Sequence, residues 1–243
     1  IGTFALPLGV GLNFQINGQD VLVPMVVEEP SVVAAVSNMA KLTREAGGFK
    51  TESDPSIMIG QIQITPTGDP ATVAAKLQAG IPALMEKARG VHPRLESRGG
   101  GLKGMEVRLV HYDEPGETHE TFVVLHLLLD CVDAMGANMV NTMTEHLAPF
   151  VRQITGSKVG LRILSNLADR RLARASVCIP FSTLKQKDVD GEEVARGIAS
   201  AYRFAYADPY RAATHNKGIM NGIDAVAVAT GNDWRAIEAG AHA

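Results

Sequence analysis

The stretch FVVLHLLL, which runs from Phe122 to Leu129, is the most apolar in the chain. Its length of about eight residues is well below the roughly 20 that a helix needs to cross a bilayer. Short apolar runs of this kind are typical of strands that are buried in a sheet. We therefore predict a buried strand over Thr121–Leu129, and the elements on each side of it determine the fold.

The flanking segments alternate like strands or carry apolar side chains at helical spacing. In chain order, the predicted elements are Ile57–Thr65 (strand), Ala71–Ala88 (helix), Met105–Tyr112 (strand), Thr121–Leu129 (strand), Asn138–Ile154 (helix) and Val159–Leu164 (strand). The order β-α-β-β-α-β is the split unit of a ferredoxin-like domain. We therefore expect residues 57–165 to form such a domain.

The segments outside this domain have a different pattern. Their predicted elements are two strands within Leu12–Val27 that turn at Asn17-Gly18, a helix from Pro30 to Gly47-Gly48, a strand over Leu172–Ile179, a helix over Glu192–Ala207 and a polar loop over Tyr210–Asn216. The predicted fold class is α+β. In it, a small domain of residues 57–165 is inserted into a larger discontinuous domain of residues 1–56 and 166–243.

The composition excludes several classes of protein. A chain of 243 residues that is 46% hydrophobic and 20% charged is typical of a globular protein with a substantial core. The net charge of -3 gives no field that would favour nucleic acid or an anionic membrane. Cys131 and Cys178 both lie in apolar runs, so we expect two buried free thiols in the reducing cytoplasm. The standard metal-binding motifs are absent, and we expect no metal.

Two glycine-containing segments could bind a phosphate. Asp133–Asn138 joins the predicted buried strand to a helix, and Gly136 would let a ligand or another backbone approach closely. The alternative is an ordinary helix start that is capped by Asp133. Residues 99–104 have the glycine spacing of a dinucleotide-binding loop. They follow a helix and lead into a strand, however, so a flexible connection is favoured.

Two further groups of residues could carry out chemistry in the larger domain. Glu29 begins a helix, where a carboxylate usually caps the backbone, but two adjacent acids before Pro30 also suit a proton donor. The polar run from Asp208 to Gly218 consists either of solvated loop residues or of groups that together hold an anionic substrate. A lysine in this run, beside a buried aspartate, could stabilise a developing oxyanion.

Five long strings occur in the chain in a fixed order. They are Val26–Ala35, Asp133–Asn138, Arg162–Asp169, Asp208–Asp224 and Ala229–His242. Together they resemble the hydroxymethylglutaryl-CoA (HMG-CoA) reductases, particularly the bacterial second class, and the resemblance covers essentially the whole chain. The fold of that family, with a ferredoxin-like dinucleotide-binding domain, agrees with the layout predicted above.

The resemblance implies an oxidoreductase that interconverts HMG-CoA with mevalonate and CoA in two nicotinamide hydride transfers. It implies that Glu29, Lys217 and Asp233 are catalytic. Lys217 would stabilise the oxyanion as hydride arrives, and Glu29 would supply a proton to the aldehyde-level oxygen. Asp233 would tune and position both of these side chains.

The resemblance also implies the binding residues. The substrate-binding residues would be Arg211, which grips the free carboxylate, and Ser31, Thr214 and Asn221, which line the same pocket. The cofactor-binding residues would be Asp133, Met135, Gly136 and Asn138, with Asn166 close by and His92 facing the adenosine ribose. NAD is the expected cofactor, with NADP as the alternative, and coenzyme A is a co-substrate.

Relatives of this kind form homodimers with shared active sites, so we expect a cytoplasmic homodimer or a higher oligomer that binds neither membrane nor nucleic acid. The chain begins with Ile1 and ends in the small residues Ala239–Ala243, which suggests part of a longer protein. The histidine that the family carries on a C-terminal flap has no match among the seven histidines. The alternative is therefore a fragment that binds ligands but is catalytically incomplete. The direction of the reaction stays open.

Overall fold

The structure, a computed structural model, describes residues 1–243. The chain separates into two compact units. We call residues 54–172 the small unit, and residues 1–53 together with 173–243 the large unit. The small unit extends beyond the predicted end at residue 165, because the backbone N–H of Asp54 donates to the carbonyl of Leu172 at 2.8 Å.

Helices and strands are mixed along the chain, as the predicted α+β fold class requires. The strands are β1 (Leu8–Ile16), β2 (Gln19–Val26), β3 (Lys50–Ser53), β4 (Ile57–Thr65), β5 (Gly101–Tyr112), β6 (Glu120–Asp130), β7 (Lys158–Leu164) and β8 (Ala173–Ser176). The helices are α1 (Pro30–Glu45), α2 (Pro70–Ala88), α3 (Pro93–Glu96), α4 (Ala137–Thr155), α5 (Phe181–Leu184), α6 (Gly191–Ala207), α7 (Pro209–Ala229) and α8 (Trp234–Ala241).

The small unit is built on a four-stranded antiparallel sheet in the order β5-β6-β4-β7. Its elements follow the predicted β-α-β-β-α-β order, with the short helix α3 added between α2 and β5. Helices α2 and α4 pack against each other and against one face of the sheet. On that face Ile62, Ile64, Leu125 and Leu127 are almost completely buried, because alternate residues of a strand point to the same side.

His126 is the polar residue within the apolar run that forms β6, and it lies on the opposite face of the sheet. Its side chain is buried. Burial, and then the positive charge of Arg108, lower the pKa of His126. The neutral ring can therefore accept a hydrogen bond at Nε2 from Gln61 Nε2 at 2.9 Å, and Arg108 Nη1 lies 3.3 Å from the same nitrogen. These contacts within the sheet give His126 a structural role.

The large unit contains a two-stranded hairpin, a second strand pair and five helices. The hairpin of β1 and β2 turns at Asn17 and Gly18, whose positive φ angles of 51° and 80° suit a type I′ turn. Helix α1 packs against β1, and α7 packs against β2. Strands β3 and β8 pair antiparallel.

The prediction of a polar loop over Tyr210–Asn216 is wrong, because these residues form the first turns of helix α7. Asp208 caps this helix, since its Oδ2 accepts from the backbone N–H of Arg211 at 2.9 Å. Pro209 follows at the first helical position, where its fixed φ is favourable. The Asp208-Pro209 pair thus ends α6, as predicted, and also begins α7.

Two smaller predictions in the large unit also need correction. The strand predicted over Leu172–Ile179 is limited to Ala173–Ser176, because β3 offers only Lys50–Ser53 as partners. Cys178 lies beyond this pairing and is exposed, whereas Cys131 is buried as predicted. Burial raises the pKa of the Cys131 thiol to about 11. None of the helices is both long and apolar enough to cross a membrane.

Candidate active site

Glu29 lies between β2 and α1, at the position where the backbone enters the helix. Its side chain makes no capping hydrogen bond to the backbone. Instead, the hydroxyl of Ser31 donates to Oε1 of Glu29. Both side chains belong to exposed residues of the large unit. The carboxylate is therefore oriented by a neighbouring hydroxyl and is not consumed in capping the helix.

Helix α7 carries four of the predicted site residues, which are Arg211, Thr214, Lys217 and Asn221. Their spacing of three or four residues places all four along one side of the helix. Lys217 is exposed and has no acidic side chain within 4.0 Å. Arg211 and Asn221 are partly buried. The helical conformation, which the sequence did not predict, is what aligns these side chains.

Asp233 precedes α8 and caps it, because its Oδ1 accepts from the backbone N–H of Ala236 at 3.2 Å. The same oxygen lies 3.7 Å from Nε of Arg235. Asp233 is partly buried. Its Oδ1 thus has a structural role, which leaves Oδ2 for a second partner.

The large unit brings these segments together through α7, which packs against β2, α1 and α8. Strand β2 and helix α1 flank Glu29, and α8 follows Asp233. No hydrogen bond or ion pair within 4.0 Å joins Lys217 to either carboxylate. The three predicted catalytic residues therefore lie on adjoining elements of one unit without direct contact.

Asp224 is a residue near this site that the sequence did not single out. Its Oδ1 is buried without a hydrogen-bond partner. Burial, and then a hydrogen bond and the charge of Glu238, raise the pKa of Asp224 to about 6, while His242 acts in the opposite direction. Asp224 follows Lys217 by two helical turns. This spacing is the one feature of the sequence that could have identified Asp224 as a neighbour of the site. Asp224 on α7 thus lies close enough to Glu238 on α8 for the two acids to interact.

In the small unit, the loop of residues 131–136 connects β6 to α4. Helix α4 begins after Gly136, and no side chain caps it, so the predicted alternative of Asp133 as the cap is wrong. Asp133, Met135 and Asn138 are exposed. The first N–H groups of α4 therefore have no side-chain partner within the chain.

Gly136 is required by the packing of this loop. Its φ is 92°, a conformation that side chains disfavour. A Cβ atom at this position would lie 2.4 Å from Sγ of Cys131 and 2.6 Å from Sδ of Met58. The backbone at Gly136 therefore fits against two sulfur atoms in a way that no larger residue could.

His92 and Asn166 are the remaining predicted cofactor residues. Nε2 of His92 lies 2.9 Å from the carbonyl oxygen of Met139, so the ring donates to the first turn of α4. Asn166 is exposed and follows β7. The end of β7 is tied to α4, because the backbone N–H of Leu164 donates to Oδ1 of Asn141 at 3.0 Å. His92 is thus held at the first turn of α4.

Other features of the small unit are separate from these residues. The glycines of residues 99–104 lead directly into strand β5, so the match to a dinucleotide-binding loop lacks the helix that such a loop requires. Two surface clefts are lined by none of the predicted site residues; the lining residues are Gln61, Gln63, Phe122, Val124, Leu161 and Ile163 in one, and Asp54, Pro55, Ile57, Lys103, Leu128, Asp169 and Arg170 in the other. No group of three metal-ligating side chains is assembled in the structure.

Comparisons with known proteins show what the chain is similar to. The sequence model of the family "Hydroxymethylglutaryl-coenzyme A reductase" matches residues 1–243. The 3-hydroxy-3-methylglutaryl-coenzyme A reductase of Archaeoglobus fulgidus is 53% identical over 243 residues, which is 100% of this chain and 53% of that protein. The probable reductase of the same name from Borreliella burgdorferi is 33% identical over 242 residues, covering 100% of this chain and 54% of that protein.

Solved structures of the reductase from Streptococcus pneumoniae are also similar. One has a TM-score of 0.92 and 46% identity, and it covers 100% of this chain and 64% of that chain. Another, a class II enzyme described as bound to NADPH in open conformations, has a TM-score of 0.92 and 44% identity. That match covers 99% of this chain and 56% of that chain.

The fold defines a class of α+β protein in which a β-α-β-β-α-β unit interrupts a larger unit of helices and strands. Within that class, the chain belongs to the hydroxymethylglutaryl-coenzyme A reductase family. It spans about half the length of the curated relatives that it matches.

Proposed function

We propose that the full-length protein is an HMG-CoA reductase, which interconverts HMG-CoA with mevalonate and CoA by two nicotinamide hydride transfers. The observation that carries this proposal is the placement of Glu29 in the large unit. Its carboxylate is held by Ser31 and does not cap α1. Helix α7, which packs against α1, carries Lys217. Asp233 lies between α7 and α8.

In the proposed mechanism, Lys217 neutralises the oxygen that becomes negative when hydride reaches the thioester carbon. An exposed ammonium with no ion-pair partner in this unit is available for that role. Glu29 supplies a proton to the aldehyde-level oxygen. Asp233, whose Oδ1 is fixed by the start of α8, would position the ammonium and the carboxyl group through its other oxygen once the substrate is bound.

The proposed substrate contacts lie on the same unit. Arg211 would bind the free carboxylate of the substrate, because a planar guanidinium can donate two parallel hydrogen bonds. Its position on α7 is on the same side as Thr214 and Asn221. Ser31 would contact both the substrate and Glu29. Coenzyme A would be a co-substrate.

The proposed cofactor site is the start of α4, with Asp133, Met135, Gly136 and Asn138 as its residues and Asn166 nearby. A nicotinamide cofactor bound there would supply the hydride. The uncapped N–H groups at the start of α4 suit the negative charge of its phosphates. We propose NAD as the cofactor, with NADP as the alternative that His92 would influence.

The remaining parts of the proposal concern organisation. The large unit would be the substrate-binding and catalytic domain, and the small unit would bind the cofactor. The full-length protein would act as a cytoplasmic homodimer with shared active sites. It would bind small molecules and neither a membrane nor nucleic acid.

An assay of the full-length protein at 340 nm, with HMG-CoA and either reduced cofactor, tests the proposed activity. Lys217→Ala should lower kcat by about 100- to 1,000-fold, because one oxyanion donor is lost. The matched control is Lys41→Ala, which removes an exposed lysine of α1 and should leave kcat unchanged. Wild-type turnover by Lys217→Ala, or no HMG-CoA-dependent oxidation of either cofactor by the wild-type protein, would contradict the proposal.

A further inference from the structure

Arg171 holds the loop of residues 131–136 by two of its carbonyl groups. Nη2 of Arg171 lies 3.4 Å from the carbonyl oxygen of Ala134, and Nη1 lies 3.4 Å from that of Met135. The guanidinium is also close enough to Cys131 for its charge to act on the thiol. Arg171 thus contacts the loop on the side where the carbonyl groups of Ala134 and Met135 point.

Arg171 is itself held firmly within the small unit. Its backbone N–H donates to the carbonyl of Ala168 at 3.1 Å. The next residue, Leu172, exchanges hydrogen bonds with Asp54, whose N–H donates to the carbonyl of Leu172 and whose Oδ2 accepts from its N–H. The guanidinium therefore projects from an anchored stretch of backbone.

The contacts of Arg171 determine where the N–H groups of the loop point. In a trans peptide unit the C=O and the following N–H point in opposite directions. Because the carbonyls of Ala134 and Met135 face the guanidinium, the N–H groups of Met135 and Gly136 face away from it. Neither N–H donates to any group within the chain. Both donors therefore lack a partner within the chain, at an exposed residue (Met135) and a buried one (Gly136) beside the start of α4.

The loop needs such restraints because its backbone is unfavourable. Val132 has a φ of 52°, which is rare for a β-branched residue. Oδ1 of Asp130 accepts from the N–H of Val132 at 2.9 Å and holds the first half of the loop. Arg171 holds the second half. Gly136 closes the loop against Cys131, where a side chain would not fit.

We propose that Arg171 is a positioning residue, which presents the backbone N–H groups of Met135 and Gly136 to the phosphates of the dinucleotide cofactor. The inference rests on the proposed cofactor site. It goes beyond that site because Arg171 lies 35 residues or more from the loop in sequence and acts through carbonyl groups on its far side. Its charge also aligns the peptide dipoles towards an anion.

The test compares Arg171→Ala with the adjacent Arg170→Ala in the full-length protein. Arg170 pairs with Glu106 and does not contact the loop, so it is a matched control. Arg171→Ala should raise the KM for NADH and NADPH about tenfold, as expected for lost charge-assisted hydrogen bonds. The KM for HMG-CoA and the far-UV circular dichroism should not change, and Arg170→Ala should behave like the wild type.

Asn138→Ala separates this inference from the proposed cofactor site, because Asn138 is exposed at the start of α4 and its side chain does not cap the helix. Weaker cofactor binding by both Asn138→Ala and Arg171→Ala supports the positioning role. Weaker binding by Asn138→Ala alone would overturn that role and leave the cofactor site in place. Unchanged binding by both would overturn the cofactor site, and with it the role of Arg171.

If Arg171→Ala does not fold, Arg171→Lys is the variant that tests the positioning role. A lysine can reach one carbonyl as a single donor but cannot span two. We expect this variant to fold and to show a smaller increase in the KM for the cofactor, with the KM for HMG-CoA unchanged. A wild-type KM for both cofactors in Arg171→Lys would contradict the need for a two-pronged contact.

Discussion

The hydroxyl of Ser31 donates a hydrogen bond to the Oε1 atom of Glu29, and this contact takes the place of a helix cap. A carboxylate at the start of a helix usually accepts from backbone N–H groups. Here the side chain is turned towards the second residue of α1 instead. The contact orients Oε1 and leaves the other oxygen free to exchange a proton.

Loss of this contact should slow catalysis. In Ser31→Ala, we expect kcat to fall about 10- to 100-fold, because the proposed proton donor is no longer held in one orientation. Ser31→Thr keeps a hydroxyl at the same position and should retain most of the activity. Steady-state kinetics of the full-length protein with HMG-CoA would measure both. A wild-type kcat in Ser31→Ala would show that the contact does not matter for the reaction.

Gly136 and Gly156 lie at the two ends of α4. A comparison of alanine substitutions at these two positions separates the effect of backbone strain from that of steric overlap. Both have positive φ, but a Cβ atom at Gly156 would have nothing within 4 Å, whereas one at Gly136 would overlap two sulfur atoms. We expect Gly156→Ala to cost about 1 kcal/mol of unfolding free energy. Gly136→Ala should cost about 1 to 3 kcal/mol more, because it overpacks the core.

Urea denaturation of the two alanine variants, compared with the wild type, would measure this difference. Equal destabilisation by both changes would mean that the loop of residues 131–136 can move to accommodate a methyl group. That result would also weaken the argument that the loop is held in one conformation for a ligand.

His92 should influence the choice of cofactor, because its ring donates to the carbonyl of Met139 beside the proposed site. We expect His92→Asp to shift the preference towards NADH by about tenfold, since a carboxylate binds a ribose hydroxyl and repels a 2′-phosphate. His146→Asp is the matched control. His146 donates in the same way to the carbonyl of Lys87, at 2.9 Å, in another part of the unit.

Ratios of kcat/KM for NADH and NADPH would measure this effect in each variant. Unchanged ratios in His92→Asp would show that residue 92 does not face the adenosine ribose. A similar shift in His146→Asp would point to a general effect of charge on the small unit.

Asp224 should make stability depend on pH in the weakly acidic range, between the two pKa values of 3.8 and about 6. Its pKa is raised from 3.8 to about 6 by burial and by Glu238, so it lies above the value in the unfolded chain. The stabilising contribution is therefore complete below pH 3.8 and is lost as the pH rises through 6. Asp224→Asn removes this titration.

We expect the unfolding free energy of the wild type to fall, relative to that of Asp224→Asn, by about 1 kcal/mol between pH 5 and 7.5. Denaturation at several pH values would measure the two curves. Glu193→Gln, which changes an exposed acid on α6, should follow the wild type. Parallel curves for Asp224→Asn and the wild type would exclude a titration of this residue near pH 6.

The predicted and observed structures agree best where one periodicity dominates. The apolar run of Phe122–Leu129 became the buried strand β6, and the alternation in Ile57–Thr65 matched β4 residue for residue. The polar stretch Tyr210–Asn216 was predicted incorrectly, because loop composition and the exposed side of a helix look alike in sequence. The cap at Asp208 and the proline after it were the signals that could have identified α7.

The sequence by itself determined the β-α-β-β-α-β order of the small unit and the family, because local periodicity and long matching strings do not depend on contacts. It also suggested the residues that carry the proposed site. Only the tertiary structure decided that Ser31 turns Glu29 away from capping, and that Arg171 reaches across to Ala134 and Met135. Such contacts depend on where side chains meet after folding, and no spacing along the chain encodes that.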